Sequence, residues 1–130
     1  MIKGVLIAES LVAGAKIEAI PLTLTGIYRV AVTDATDYQP PVWTIMYFDA
    51  EDANADTLAE RFADQLDAPG WYVDMHNDTT VYVVFPGKVF RYAIGDPAGR
   101  AEAVAYATGV AGVPDTQLWG EGNTPDPALT

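Results

Sequence analysis

The amino-acid sequence predicts an α+β fold, an antiparallel sheet carrying two helices on one face. Three observations lead there. Residues 42–48 and 80–85 are runs of β-branched and aromatic side chains, a composition that suits strands rather than helices. Within residues 54–66, Ala55, Leu58, Ala59, Phe62, Ala63 and Leu66 share one helical face, while Asp56, Glu60, Arg61 and Asp64 take the other. Asp96-Pro97 joins a capping carboxylate to the residue preset for the first helical position, the clearest helix start in the chain.

Taken in order, residues 1–13 read as an apolar strand. Residues 16–32 form a longer β segment in which Pro21 and Gly26 mark an edge, bend or bulge. Residues 34–41 are a loop, because Pro40-Pro41 cannot supply backbone donors. The strand over 42–48 is apolar on both faces and needs a helix over at least one of them. That helix is 54–66, capped by Asp52 or Asn54 and ended by Pro69-Gly70. A strand over 71–76 alternates Trp71, Val73 and Met75 with Tyr72, Asp74 and His76. Asn77-Asp78 turns the chain into 80–85, and Pro86-Gly87 makes either a bend or a hairpin into 89–93. The second helix begins at Asp96-Pro97, has a narrow small-residue face of Ala101, Val104, Ala105 and Thr108, and closes at Gly109 and Gly112. Residues 113–119 form a short strand or a docked turn. From residue 42 the succession is βαββα(β), the ferredoxin-like split order, preceded by an N-terminal β segment. The expected organisation is one domain over 1–119, with the β segment at 1–33 and the core at 42–119, followed by a flexible tail at 120–130.

Eighteen acidic against seven basic residues give a net charge of −11, which repels phosphate backbones and argues against nucleic acid as a partner. The charge is uneven: residues 49–78 hold nine acids against Arg61, a net −8. Without cysteine the chain has no thiolate metal site, disulfide or cysteine nucleophile. No window approaches the roughly 18 apolar residues of a membrane span.

Two constellations are candidates for chemistry. Lys88, Arg91 and Arg100 place three of the seven bases within thirteen residues, beside a helix N-terminus, an arrangement that grips a small anion if the three converge. Tyr72, Asp74 and His76 recur at a spacing of two and so project from one strand face, where an acid beside an imidazole serves acid–base work or metal ligation. The blander readings are charged guards on an edge strand for the first and a polar strand face for the second.

The runs Gly70-Trp71-Tyr72-Val73-Asp74, Phe85-Pro86-Gly87-Lys88-Val89-Phe90-Arg91-Tyr92 and Gly95-Asp96-Pro97-Ala98-Gly99-Arg100 resemble a group of small, uncharacterised bacterial proteins, mostly of actinobacterial type. The resemblance implies a bacterial, cytoplasmic origin and carries no activity, cofactor or catalytic residue with it. The expectation is a non-catalytic binding or interaction module that self-associates as a homodimer through its sheet, with no cofactor, metal, nucleic acid or membrane partner. The alternative is a protein or enzyme holding an anionic small molecule near Lys88, Arg91 and Arg100. A second alternative is an inhibitor whose acidic helix mimics nucleic acid.

Overall fold

The computed structural model describes residues 1–120; beyond Gly120, the expected tail lies outside the described residues. The strands are β1 (Ile2–Ile7), β2 (Thr23–Ala31), β3 (Val42–Ala50), β4 (Val73–His76), β5 (Thr80–Phe85) and β6 (Lys88–Ala93). Helix α1 (Ala55–Gln65) follows β3, and α2 (Pro97–Tyr106) follows β6. The α+β class and the antiparallel sheet are as predicted: all six strands join one sheet in the order β2-β3-β1-β4-β5-β6, each neighbour antiparallel.

The ferredoxin-like order expected from residue 42 onward is not found. In that order β5 would lie between β3 and β4, the two strands that α1 connects. Here β1 takes that place, pairing β3 from Ile2↔Ala50 to Ile7↔Ile45 and β4 from Lys3↔His76 to Val5↔Asp74. The physical reason lies in β1 itself. Every residue but Lys3 is buried, and only a central strand hides both of its faces. Gly4 also belongs at the centre, because a Cβ there would collide with the Phe48 ring lying across it from β3. The strand stops at Ile7, short of the expected residue 13, where Ala8–Ser10 forms a 3-10 turn and the Ser10 hydroxyl donates to the Ile7 carbonyl at 2.6 Å.

Nor do the two helices share a face. On the front of the sheet, Leu58 and Phe62 of α1 pack with Ile2, Leu6, Phe48, Met75, Tyr82 and Val84. On the back, Ala103 of α2 and Ala107 just past it pack with Val81, Val83 and Phe85. These sets alternate along β5, which is buried from Val81 to Phe85, so each face of that strand needs its own cover. A third group, Val5, Ile7, Trp43, Ile45 and Trp71, fills the back of the sheet around β1 and β3.

Pro86-Gly87 proves to be the tip of a hairpin, with Phe85 opposite Lys88 and Gly87 at φ 71°. The Gly87 N–H donates to the Ala63 carbonyl of α1 at 2.9 Å, which ties the tip to a helix end with carbonyls to spare. Residues 113–119 form the docked turn, not a strand, around a 3-10 stretch at Asp115–Gln117. Neither Asp52 nor Asn54 caps α1, because the Asp52 carboxylate instead accepts from the Met1 amine at 2.9 Å and Asn77 Nδ2 at 3.3 Å. Asp96 does cap α2, accepting from the Ala98 N–H at 3.1 Å. Asp96→Ala is therefore expected to cost about 1 kcal/mol, read as a lower urea midpoint with an unchanged slope.

Candidate functional site

The sheet does not assemble the basic cluster. Lys88 and Arg91 stand three residues apart on β6, an odd spacing that sends them to opposite faces. On the back, Lys88 Nζ lies 5.2 Å from the centroid of the Phe90 ring. On the front, Arg91 pairs with Asp56 of α1 at 3.1 Å and lies over the Tyr82 ring at 5.4 Å. Burial first, then Asp56, raise the pKa of the Tyr82 phenol. Arg100, on α2, donates to the Trp119 carbonyl at 2.9 Å and lies over that indole. The trio predicted as one anion site is thus three separate contacts. Strand parity was the signal in the sequence that separates Lys88 from Arg91.

Tyr72, Asp74 and His76 do share the back face, each in its own setting. Tyr72 is buried against Phe85 and Trp119 and donates its hydroxyl to the Gln117 carbonyl at 2.5 Å. Asp74 sits between Val5 and Val83 in the ladder. His76 lies opposite Lys3, which itself pairs with Asp49 at 3.2 Å. Burial and then the Lys3 charge hold the His76 imidazole below its ordinary 6.5, against the opposing pull of Asp78. Among the described residues no three acidic, histidine or cysteine side chains converge to hold a metal.

The lowered His76 pKa makes stability depend on pH. Because the unfolded chain takes up the proton first as pH falls through about 6.5, stability is full above that value and declines below it. Urea unfolding between about pH 7.5 and about pH 5.5 should show this decline, and His76→Gln should flatten it. An equal decline in both proteins would exclude His76 as its source.

Beside α2 lies a concavity of about 630 Å³ lined by Tyr92, Gly95, Asp96, Arg100, Val104 and Ala105. Tyr92 accepts from the Trp119 indole N–H at 2.9 Å. Burial raises the Tyr92 phenol's pKa, while the Trp119 bond and Arg100 oppose the rise. Arg100 Nε is buried with no hydrogen-bond partner among the described residues.

The strongest unassigned feature is the edge strand β2. It runs nine residues with only Gly26 and Val30 partly covered, and Leu24, Ile27 and Tyr28 are 52%, 59% and 54% exposed. The Pro21 and Gly26 signals anticipated an edge or bulge, and the ladder to β3 does shift between Leu24 and Gly26. What the sequence does not show is that, among the described residues, no strand pairs with β2 on its far side. The opposite edge, β6, is shorter and carries exposed Lys88 and Arg91, the charged guards by which sheets discourage pairing. On β2 the one charge, Arg29, is exposed but already partnered: it meets Glu9 at 3.3 Å and Thr44 Oγ1 at 2.7 Å. Glu9 in turn accepts from the Thr44 N–H at 2.5 Å, where β1 has already turned away.

The orientation of the β2 backbone follows from its ladder. The Val32 N–H donates to the Pro41 carbonyl at 2.8 Å, and antiparallel ladders alternate. Val30, Tyr28 and Gly26, opposite Trp43, Ile45 and Tyr47, therefore turn their backbone groups towards β3. Ile27, Arg29 and Ala31 turn theirs outward. The Thr44 N–H agrees with this phase, since it points away from its β2 partner Arg29 and towards Glu9.

No protein-family model, no curated protein and no solved structure matches this chain.

Proposed function

We propose that this chain is a non-catalytic interaction module that self-associates through the open edge of its sheet. The observation that carries the reading is β2: a nine-residue edge strand with three large apolar side chains about half exposed and a single charge, Arg29, which Glu9 pairs. Unpaired N–H and C=O groups along such an edge are a template for another strand. Sedimentation velocity over a concentration series tests this. The expected result is a shift from monomer to dimer with rising concentration, and Ile27→Lys should weaken that association by about tenfold or more, roughly 1.4 kcal/mol. A protein that sediments as a monomer throughout would overturn the reading.

A second reading is favoured by the concavity at α2, where Arg100 Nε is buried without a partner among the described residues. This is a small-anion site built on Arg100 alone, since Lys88 and Arg91 stand elsewhere. Phosphate and citrate should then raise the melting temperature of the wild-type chain and leave Arg100→Gln unmoved. No rise with either probe removes this reading.

A further inference from the structure

We propose that two copies of this chain join their β2 strands antiparallel about a two-fold axis at Tyr28, so that the sheet runs on from one chain into the next. This rests on the self-association reading above and adds its register.

The choice of a second copy as the occupant comes from charge. The chain carries −11, yet residues 19–33 contain a single charged residue, Arg29, and Glu9 meets it at 3.3 Å. Two strongly acidic chains repel least along this strip. A charged peptide of another kind finds no free counter-charge there, whereas a second copy presents the same apolar side chains and the same alternating backbone groups. One surface patch meeting itself is the requirement of a two-fold interface.

Backbone phase and side-chain chemistry select the register. An added strand must bond to Ile27, Arg29 and Ala31, whose backbone groups face outward. With the axis at Tyr28, Ile27 lies opposite Arg29 of the second copy, and both residues of each such pair offer outward N–H and C=O groups to exchange. Gly26 then faces Val30 of the second copy, and the two Tyr28 rings face each other. An axis at Ile27 would instead set Arg29 against Thr25 of the second copy. Thr25 lies within the irregularity between Leu24 and Gly26, where an extra residue disturbs regular pairing. An axis at Arg29 would place two guanidinium groups directly opposite, which is unfavourable. Of these three axes, the Tyr28 axis alone keeps the pairing from residue 26 to residue 30 within regular strand and opposes no like charges. Tyr28 is also a non-hydrogen-bonded position, where opposed Cα atoms come within about 4.5 Å and cross-strand aromatic pairs are closest.

Because the chain has no cysteine, single introduced thiols report this register directly. A disulfide spans Cα separations of about 4.4–6.8 Å, which an axis at residue 28 satisfies for two copies of Tyr28→Cys. Under mild oxidation Tyr28→Cys should give a covalent dimer at least about tenfold faster than Ile27→Cys alone, since Ile27 then has Arg29 as its neighbour across the axis. A mixture of Ile27→Cys and Arg29→Cys chains should link to each other in preference to themselves. Should the wild type dimerise in sedimentation while Tyr28→Cys and the mixture both stay unlinked, the register is wrong and self-association stands. Fastest linkage by Ile27→Cys alone would move the axis to Ile27 and likewise overturn the register. A wild type that stays monomeric, with no linkage by any variant, removes both proposals.

Discussion

Phe48→Ala is expected to lower the free energy of unfolding by about 3–5 kcal/mol, a large part of the roughly 5–15 kcal/mol available to a domain of this kind. Phe48 is 1% exposed and packs against Phe62 of α1 with ring centroids 5.8 Å apart. Its ring also crosses the backbone of β1 at Gly4. The substitution therefore opens a cavity between the central strand and the helix that covers it, with only a glycine directly opposite it on β1. Gly4→Ala makes the opposite error, driving a methyl group into the same ring, and should cost about 1–3 kcal/mol. The two are coupled. Once Phe48 is truncated the added methyl enters vacated space, so the double variant should be more stable than the sum of the single losses predicts. Urea unfolding of the four proteins measures this, and additivity to within about 0.5 kcal/mol would show that the two sites do not share this space.

Gln117→Leu is expected to cost about 2–3 kcal/mol by orphaning polar groups, with little change in side-chain volume. Gln117 is 2% exposed and Gln39 6%, and their amides bond reciprocally, at 3.0 Å one way and 2.9 Å the other. Gln117 Nε2 also donates to the Asp34 carbonyl at 2.9 Å, and Gln39 Oε1 accepts from the Thr36 N–H at 3.1 Å. This pair fastens the loop between β2 and β3 to the docked turn after α2, reinforced by the Tyr38 hydroxyl on the Gly112 carbonyl at 2.8 Å. With Leu at 117 the Gln39 amide stays buried with half its partners gone. Replacing both glutamines by leucine removes the orphan, so the double variant should lose less than the two single variants together. A double-variant loss equal to the sum of the singles would contradict this account of the latch.

Much of this architecture is legible in the residues. The apolar period of α1, the Asp96-Pro97 start of α2 and the alternation of β4 rest on local rules, and each element stands where those rules put it. The central place of β1 was hidden because a short apolar strand looks alike at an edge and at a centre; only partners on both sides distinguish them. The helices lie on opposite faces because β5 is apolar on both of its faces and so demands two covers. The separation of Lys88 from Arg91 was available from spacing, but Arg100 is placed by the packing of α2 against Trp119, which no spacing rule contains.

For the candidate interface the division is similar. The sequence by itself determined that residues 16–32 read as a β segment, that one charge lies between residues 19 and 33 in a chain of −11, and that Pro21 and Gly26 mark an edge, bend or bulge. Tertiary structure decided that β2 is the last strand of the sheet, that Glu9 pairs its one arginine, and that the backbone groups of Ile27, Arg29 and Ala31 face outward. The reason is that local propensity acts over a few neighbouring residues, whereas an edge is the absence of a partner. That depends on where every other strand has gone, above all on β1 taking the centre between β3 and β4.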